Sequence, residues 1–370
     1  MTRQENPRDE AIDLLRGVAM VLMALDHARD FIVRGGPDAT DLARTTHALF
    51  FTRWVTHFCA PVFVLLAGVS AWLASRRRSP ASASSLLLTR GLWLVVLELT
   101  AVRFGWLFNL DYRFTFVQVI WAIGWSMVAL AALSRLGARA CLLVGAAMIA
   151  GHNLFDGVHA ADLGALRWGW TVLHDPGRLE PLSGHRVYVA YPLVPWIGVM
   201  ALGYGLGPVM SLDAHARRRA LIRLGGALTA AFVALRALNV YGDPSRWSPQ
   251  PRGGFTALSF LNCTKYPPSL LYLLMTLGPA LALWGALTER QAGGAKPLLT
   301  FGRVPLFYYV LHLPLLHALG LAWRGVSGDS PSLWRAYALW AVGLALLYPA
   351  CRAFEGLKSR HRGAWWTHYT

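Results

Sequence analysis

Long apolar runs separated by short polar stretches dominate the chain. They fall at roughly 12–33, 54–75, 86–108, 114–134, 138–155, 189–210, 219–240, 267–288, 298–323 and 333–356. About 20 apolar residues at 1.5 Å per residue cover the ~30 Å hydrocarbon core of a bilayer. Open sheet edges have no place in lipid, so each run is predicted to be a helix. The expected fold is all-α: a polytopic transmembrane bundle of about ten spans, forming one domain over 1–370.

Basic residues fall in alternate loops: Arg76-Arg77-Arg78, Arg135 and Arg139, Arg217-Arg218-Arg219 and Arg223, Arg290 and Lys296, then Lys358, Arg360 and Arg362. Asp38, Asp41, Asp111, Asp156, Asp162, Asp175, Asp243 and Asp329 fall in the others. By the positive-inside rule this phase, with an even number of spans, places both termini in the cytoplasm. The two longest loops, about 155–188 and 241–265, then face outward. Rich in Gly, Pro and Trp, they are expected to cap the outer mouth.

Composition supports lipid as the solvent. The chain is 55% hydrophobic and 15% charged, against about 25% charge in soluble domains. The net charge of +16 lies in short clusters between apolar runs, which argues against a nucleic-acid partner. Cys59, Cys141, Cys263 and Cys351 are scattered and predict no disulfide framework. The polar start MTRQENPRDE, followed by a run holding Arg16, Asp26 and His27, reads as uncleaved.

Ionisable groups inside apolar runs are costly and tend to be paired and functional. At 100° per residue, Arg16, His27 and Asp30 share one stripe, with Asp26 beside it. Asp26 and His27 lie in the outer half of the first span. Asp26 can orient His27 and raise its basicity, or it can pair with Arg29 or Arg53 and tie two helices together. Arg53 and His57, four apart, share a face of the second span. His57 is expected at the depth of His27, as a catalytic partner or as a histidine satisfied by a backbone carbonyl. His47 sits in the loop between these spans. In the ninth span Tyr308 and His312 share a face near the midplane, loosened by Pro314; they are candidate substrate contacts or packing hydrogen bonds. Glu98 is expected to enter a helix-packing ion pair. Asn153 and Lys265, near the outer mouth, suit a polar acceptor such as a sugar, and equally an ordinary interface. The histidines and Asp26 lack local ligand spacing, so no metal is expected.

An imidazole–carboxylate cluster at this depth suits acyl transfer, with histidine as base or acyl carrier. Cytoplasmic arginines, Arg16 and Arg303 among them, can grip the phosphates of acyl-CoA, although topology alone also accounts for the basic clusters. The same polar groups can serve a proton-coupled transporter or flippase. A non-catalytic partner in envelope assembly is the third alternative.

The stretches IDLLRGVAMVLMALDH (12–27), FFTRWVTHFCAPVFVLLAGVSAW (50–72), YPLVPWIGVMALGYGLG (191–207), LNCTKYPPSLLYLLMTLGP (261–279) and FGRVPLFYYVLHLPLLH (301–317) resemble the bacterial branch of the heparan-α-glucosaminide N-acetyltransferase catalytic-domain family. The resemblance implies a multi-helix enzyme of the bacterial inner membrane that passes an acetyl or other acyl group from cytoplasmic acyl-CoA to an extracytoplasmic sugar or glycan. Its partners would be the bilayer and the glycan acceptor, and a homo-oligomer is compatible with it. In lysosomal members a lumenal histidine carries the acetyl group; counted back from Pro61, it falls on His47, and the first-span asparagine falls near His27. Those members have aspartate where this chain has His57, and an uncharged pair where it has Asp26-His27. The acid–base centre is therefore expected at His57 and His27, with Asp26 orienting His27 and Arg53 binding an oxyanion or the acceptor.

Overall fold

The computed structural model describes residues 9–33, 36, 38–289, 295–328, 332–361 and 363–369. Arg290, Asp329, Arg362 and the polar start 1–8 lie outside the described residues. The helices are α1 (Glu10–Ile32), α2 (His47–Thr56), α3 (Cys59–Ser75), α4 (Pro80–Leu97), α5 (Arg103–Leu107), α6 (Val119–Leu133), α7 (Ala138–Gly151), α8 (Arg167–Leu173), α9 (Leu193–Leu206), α10 (Ala214–Leu238), α11 (Phe255–Leu261), α12 (Leu270–Leu287), α13 (Lys296–Arg303), α14 (Pro305–Ser327) and α15 (Leu333–Arg360). Among the described residues nine helical segments are long and apolar enough to cross a membrane, so this is an integral membrane protein.

The tenth expected crossing is α1. It has the length, but it carries Glu10, Asp13, Arg16, Asp26, Arg29 and Asp30. Its solvent is protein: α3, α12, α13, α14 and α15 pack around it, and Asp13, Asp26, His27 and Arg29 are all buried. A helix with this much charge is tolerated at membrane depth when neighbours shield it from hydrocarbon.

The neighbours approach α1, and each other, through glycine. A Cβ on Gly302 of α13 would stand 1.8 Å from the Asp13 carbonyl oxygen, and one on Gly17 would stand 2.0 Å from that of Leu298. In the same way Gly68 of α3 and Gly203 of α9 each face backbone of the other helix at 2.1 Å. With lipid as apolar as leucine, close backbone packing of this kind is what holds such helices together.

The structure departs from the sequence reading in three places. The second span begins at His47 rather than about 54, with the Thr46 hydroxyl accepting from the Leu49 amide at 3.2 Å; His47 therefore opens a helix instead of lying in the loop. That span is interrupted at His57–Phe58, because Pro61 has no N–H to give the His57 carbonyl four residues back. The Tyr272 hydroxyl of α12 donates to that carbonyl at 2.7 Å. In the fourth run, 114–117 is a strand and the helix starts at Val119. This strand, β1 (Phe114–Val117), runs parallel to β3 (His185–Val189), which pairs antiparallel with β2 (Gly177–Leu182), in the order β1-β3-β2. The helical bundle thus carries a small sheet, whose β2–β3 hairpin falls at the end of one of the two loops expected to form a cap. Finally, the ninth run divides at Val304 into α13 and α14, since Pro305 disfavours a helical residue before it.

Two faces result. Asp9, Glu10 and Glu355 meet Arg217 and Arg303 at one of them, the basic face, where both ends of the described chain lie. The sheet and the 239–269 segment lie at the other, the cap face. There Arg236, 1% exposed, donates to the carbonyls of Ser245, Ser259, Phe260 and Asn262 and so folds that segment around one guanidinium.

Gly203→Val drives a side chain into the α3 backbone and is expected to lower stability by about 1–3 kcal/mol or more. Gly226→Ala, at a position with nothing within 4 Å of its Cβ, is the matched control. Thermal unfolding of the detergent-solubilised protein reads both.

Candidate functional site

Two groups of polar residues meet α1, one above the other. The upper group is ionic. Asp26 accepts from Arg53 of α2 through a short charge-assisted bond and forms an ion pair with Arg29 at 2.9 Å, while Arg29 donates to Asp30 at 2.6 Å. Arg53 reaches the Tyr266 hydroxyl at 3.4 Å. The Lys265 ammonium lies 5.2 Å from the centre of the Tyr266 ring. Partial burial would raise the Tyr266 phenol, but Lys265 and Arg53 prevail and hold it below its ordinary value. The cluster has three cations against two carboxylates, at a mouth where Tyr266 is 39% exposed.

The lower group is a histidine pair. His27 Nδ1 and His312 Nε2 are 2.7 Å apart, with stacked rings. His312 Nδ1 lies 2.6 Å from the Tyr309 carbonyl oxygen, an acceptor only, so Nδ1 carries the proton there. For a neutral His312, Nε2 is then the acceptor and His27 Nδ1 the donor; the tautomers follow from the hydrogen bonding. The chain of bonds leaves the lone pair of His27 on Nε2, which makes no hydrogen bond among the described residues. Trp106 of α5 closes the edge of the His27 ring at 4.9 Å between centroids.

Beneath the pair, toward the basic face, is a cavity of about 270 Å³ between α1, α3, α4, α6 and α14. Its walls are apolar, with Met20, Phe63, Leu87 and Ile123 among them. Arg16, Arg90, Arg303 and Lys358 are its cationic lining, and Tyr309 lines it too. The Tyr309 ring is 5.3 Å from His312 and 6.5 Å from His27, so the cavity reaches the histidine pair through one side chain. Arg16 is held by Asp13 at 3.1 Å and the Gly302 carbonyl at 3.0 Å. Arg303 is held by Glu355 at 2.9 Å. Arg90 makes no hydrogen bond or ion pair among the described residues.

The expected site residues distribute as follows. Asp26 pairs with arginines and does not hydrogen-bond to His27; His312 does. His27 and His57 share no hydrogen bond or ring contact, because His57 turns toward α12, with its ring 5.4 Å from Tyr272. His47 is exposed and packs edge-on against Phe255, 4.7 Å away, apart from the buried histidines. Tyr308 is fully buried with its hydroxyl on the Met20 carbonyl at 3.1 Å, so it joins α14 to α1 and is not part of this cavity's lining. Asn153 is consumed in joining α7 to α12: its amide nitrogen donates to Asp156 and its oxygen accepts from the Leu270 amide, both at 2.8 Å. Glu98 forms no ion pair; it accepts from the Gln118 amide at 2.9 Å, at the start of α6. Arg16 and Arg303 do share one cavity. Tyr309 and Lys358 went unread as site residues. Arg90 also went unread; it precedes Gly91 as Arg16 precedes Gly17, and in both pairs glycine lets the helix pack closely while arginine lines the cavity.

The family model described as Heparan-alpha-glucosaminide N-acetyltransferase, catalytic, matches residues 8–242. The match covers α1 through α10 and so includes Arg16, Asp26, His27, Arg53 and Arg90, while His312 and Arg303 lie beyond it. No curated protein matches the chain.

Asp26→Asn leaves Arg53 without its carboxylate partner and Asp30 as the one carboxylate of the cluster against three cations. Breaking a buried pair from one side costs about 3–5 kcal/mol, so a large fall in the thermal midpoint is expected. His47→Ala, at an exposed site, should leave the midpoint unchanged.

Proposed function

The chain belongs to the heparan-alpha-glucosaminide N-acetyltransferase catalytic family, and we propose that it passes an acetyl or other short acyl group from acyl-CoA to a hydroxyl or amine of a sugar or glycan on the opposite side of the membrane. The basic face is the cytoplasmic one in this reading, with both termini there, in a bacterial inner membrane. The observation that carries the reading is Arg90. It is a cation with no anionic partner among the described residues, it lines a cavity with Arg16 and Arg303, and that cavity reaches a hydrogen-bonded histidine pair. A guanidinium placed so invites an anion from outside the chain, and phosphate suits it best.

The donor's phosphates bind among Arg16, Arg90 and Arg303, and its pantetheine arm runs along the apolar wall toward Tyr309. The acceptor enters from the cap face past Lys265, Tyr266 and Arg53. His27 Nε2 takes the proton from the acceptor as the oxygen or nitrogen attacks the thioester carbonyl. The new C–O or C–N bond forms, the C–S bond breaks, and His27 returns the proton to the departing thiolate. His312, anchored to the Tyr309 carbonyl, holds the His27 tautomer that this requires. A transporter built on the same groups would move solute without consuming thioester.

Purified protein in liposomes, given acetyl-CoA on the basic side and glucosamine on the other, should release CoA and yield acetylated sugar with no net solute movement. His27→Ala should lower kcat roughly 10²–10⁴-fold. Arg90→Ala should raise KM for acetyl-CoA about 10–100-fold, as expected for a lost charge-assisted bond, with kcat little changed. Solute uptake without CoA release would refute the assignment, as would full activity of His27→Ala.

A further inference from the structure

The cap holds a second cleft that acyl transfer does not use. It measures about 420 Å³ and lies between α8 and the β2–β3 hairpin, within the size range of small-ligand sites. Arg178 is paired with Tyr188 across the two strands. Residues two apart on a strand share a face, so Arg186 lies on the same side of the sheet as Arg178. Arg167 and Trp168, at the start of α8, complete the lining with Asp175 and Glu180.

The two carboxylates are already engaged. Asp175 accepts from the Ala160 amide at 2.8 Å and Glu180 from the Gly184 amide at 2.9 Å, so each fixes a turn of the cap. The three guanidinium groups of Arg167, Arg178 and Arg186 have no such employment: none makes a hydrogen bond or ion pair among the described residues. Three guanidinium groups against two carboxylates leave the cleft net positive, with none of the three forks occupied by a carboxylate, and planar forks of this kind match carboxylate or phosphate. Trp168 is 40% exposed beside them. An indole face next to cations suits the apolar side of a pyranose ring and has little to offer a bare inorganic ion.

We propose that this cleft binds an anionic saccharide, through its carboxylate or phosphate groups on Arg167, Arg178 and Arg186 and a sugar ring on Trp168. The site is separate from the histidine pair and does not rest on the acyl-transfer reading. If that reading also holds, the cleft retains an acidic envelope glycan on the acceptor side of the membrane.

The test is binding to the full-length protein in detergent, with trigalacturonate as the anionic probe and maltotriose as its neutral counterpart. Trigalacturonate should bind and maltotriose should not. The double variant Arg167→Gln/Arg178→Gln should weaken binding about tenfold or more, as should about 0.5 M salt. Trp168→Ala should weaken it while leaving the thermal midpoint unchanged, which separates a lost contact from a misfolded cap. Equal binding by wild type and double variant would overturn the proposal. So would no binding of trigalacturonate, or binding confined to phosphatidylglycerol vesicles, the last assigning the arginines to lipid headgroups. Because no turnover is measured, these results stand apart from the outcome with acetyl-CoA.

Discussion

The burial of one charged helix is the constraint from which the rest of the architecture follows. α1 carries seven ionisable residues, and at membrane depth hydrocarbon would make most of them prohibitive. The chain surrounds α1 with six other helices, α2 among them, and pairs its charges in two places. Near the basic face Asp13 meets Arg16 and Arg303; near the cap face Asp26 meets Arg29 and Arg53. Between them the helix is apolar except for its approach to the histidines. Two ionic clusters separated by an apolar stretch, on one helix, place charged groups toward each face of the bundle.

That arrangement explains why the histidine pair is where it is. His27 follows Asp26 directly in sequence, yet its ring turns away from the ion pair and toward α14. Asp26 has two arginines to satisfy, whereas His312 has an acceptor nitrogen left over from its bond to the Tyr309 carbonyl. The carboxylate serves helix association and the second imidazole serves the first. Electrostatic support and tautomer control are thereby divided between two neighbours of His27 instead of residing in one acid.

Much of the fold was legible as apolar runs, since a run of about 20 such residues has few alternatives to a helix. What escaped notice was local. Phe114-Thr115-Phe116-Val117 is as apolar as the helix it precedes, so hydropathy merged a strand with a span. The break before Pro305 was hidden in the same way. Asp26 beside Arg53 was readable as one of two alternatives, because depth alone brings them together. His27 beside His312 was not: the two are 285 positions apart, and no single-sequence pattern fixes the rotation of α14 against α1. The cavity arginines were legible as basic residues near one face, but convergence on a common void is a property of three-dimensional packing.

The short helix α13 has a consequence of its own. It meets α1 backbone to backbone at Gly17 and Gly302, and its last residue, Arg303, is clamped to α15 through Glu355. One rim of the cavity is therefore a rigid lintel, whose spacing from α1 is set by main-chain atoms in contact. The opposite rim, on α4 and α6, is made of side chains such as Leu87 and Ile123. Exchanging those residues would widen or narrow the entrance while the lintel stays put, leaving undisturbed the frame that holds the histidines.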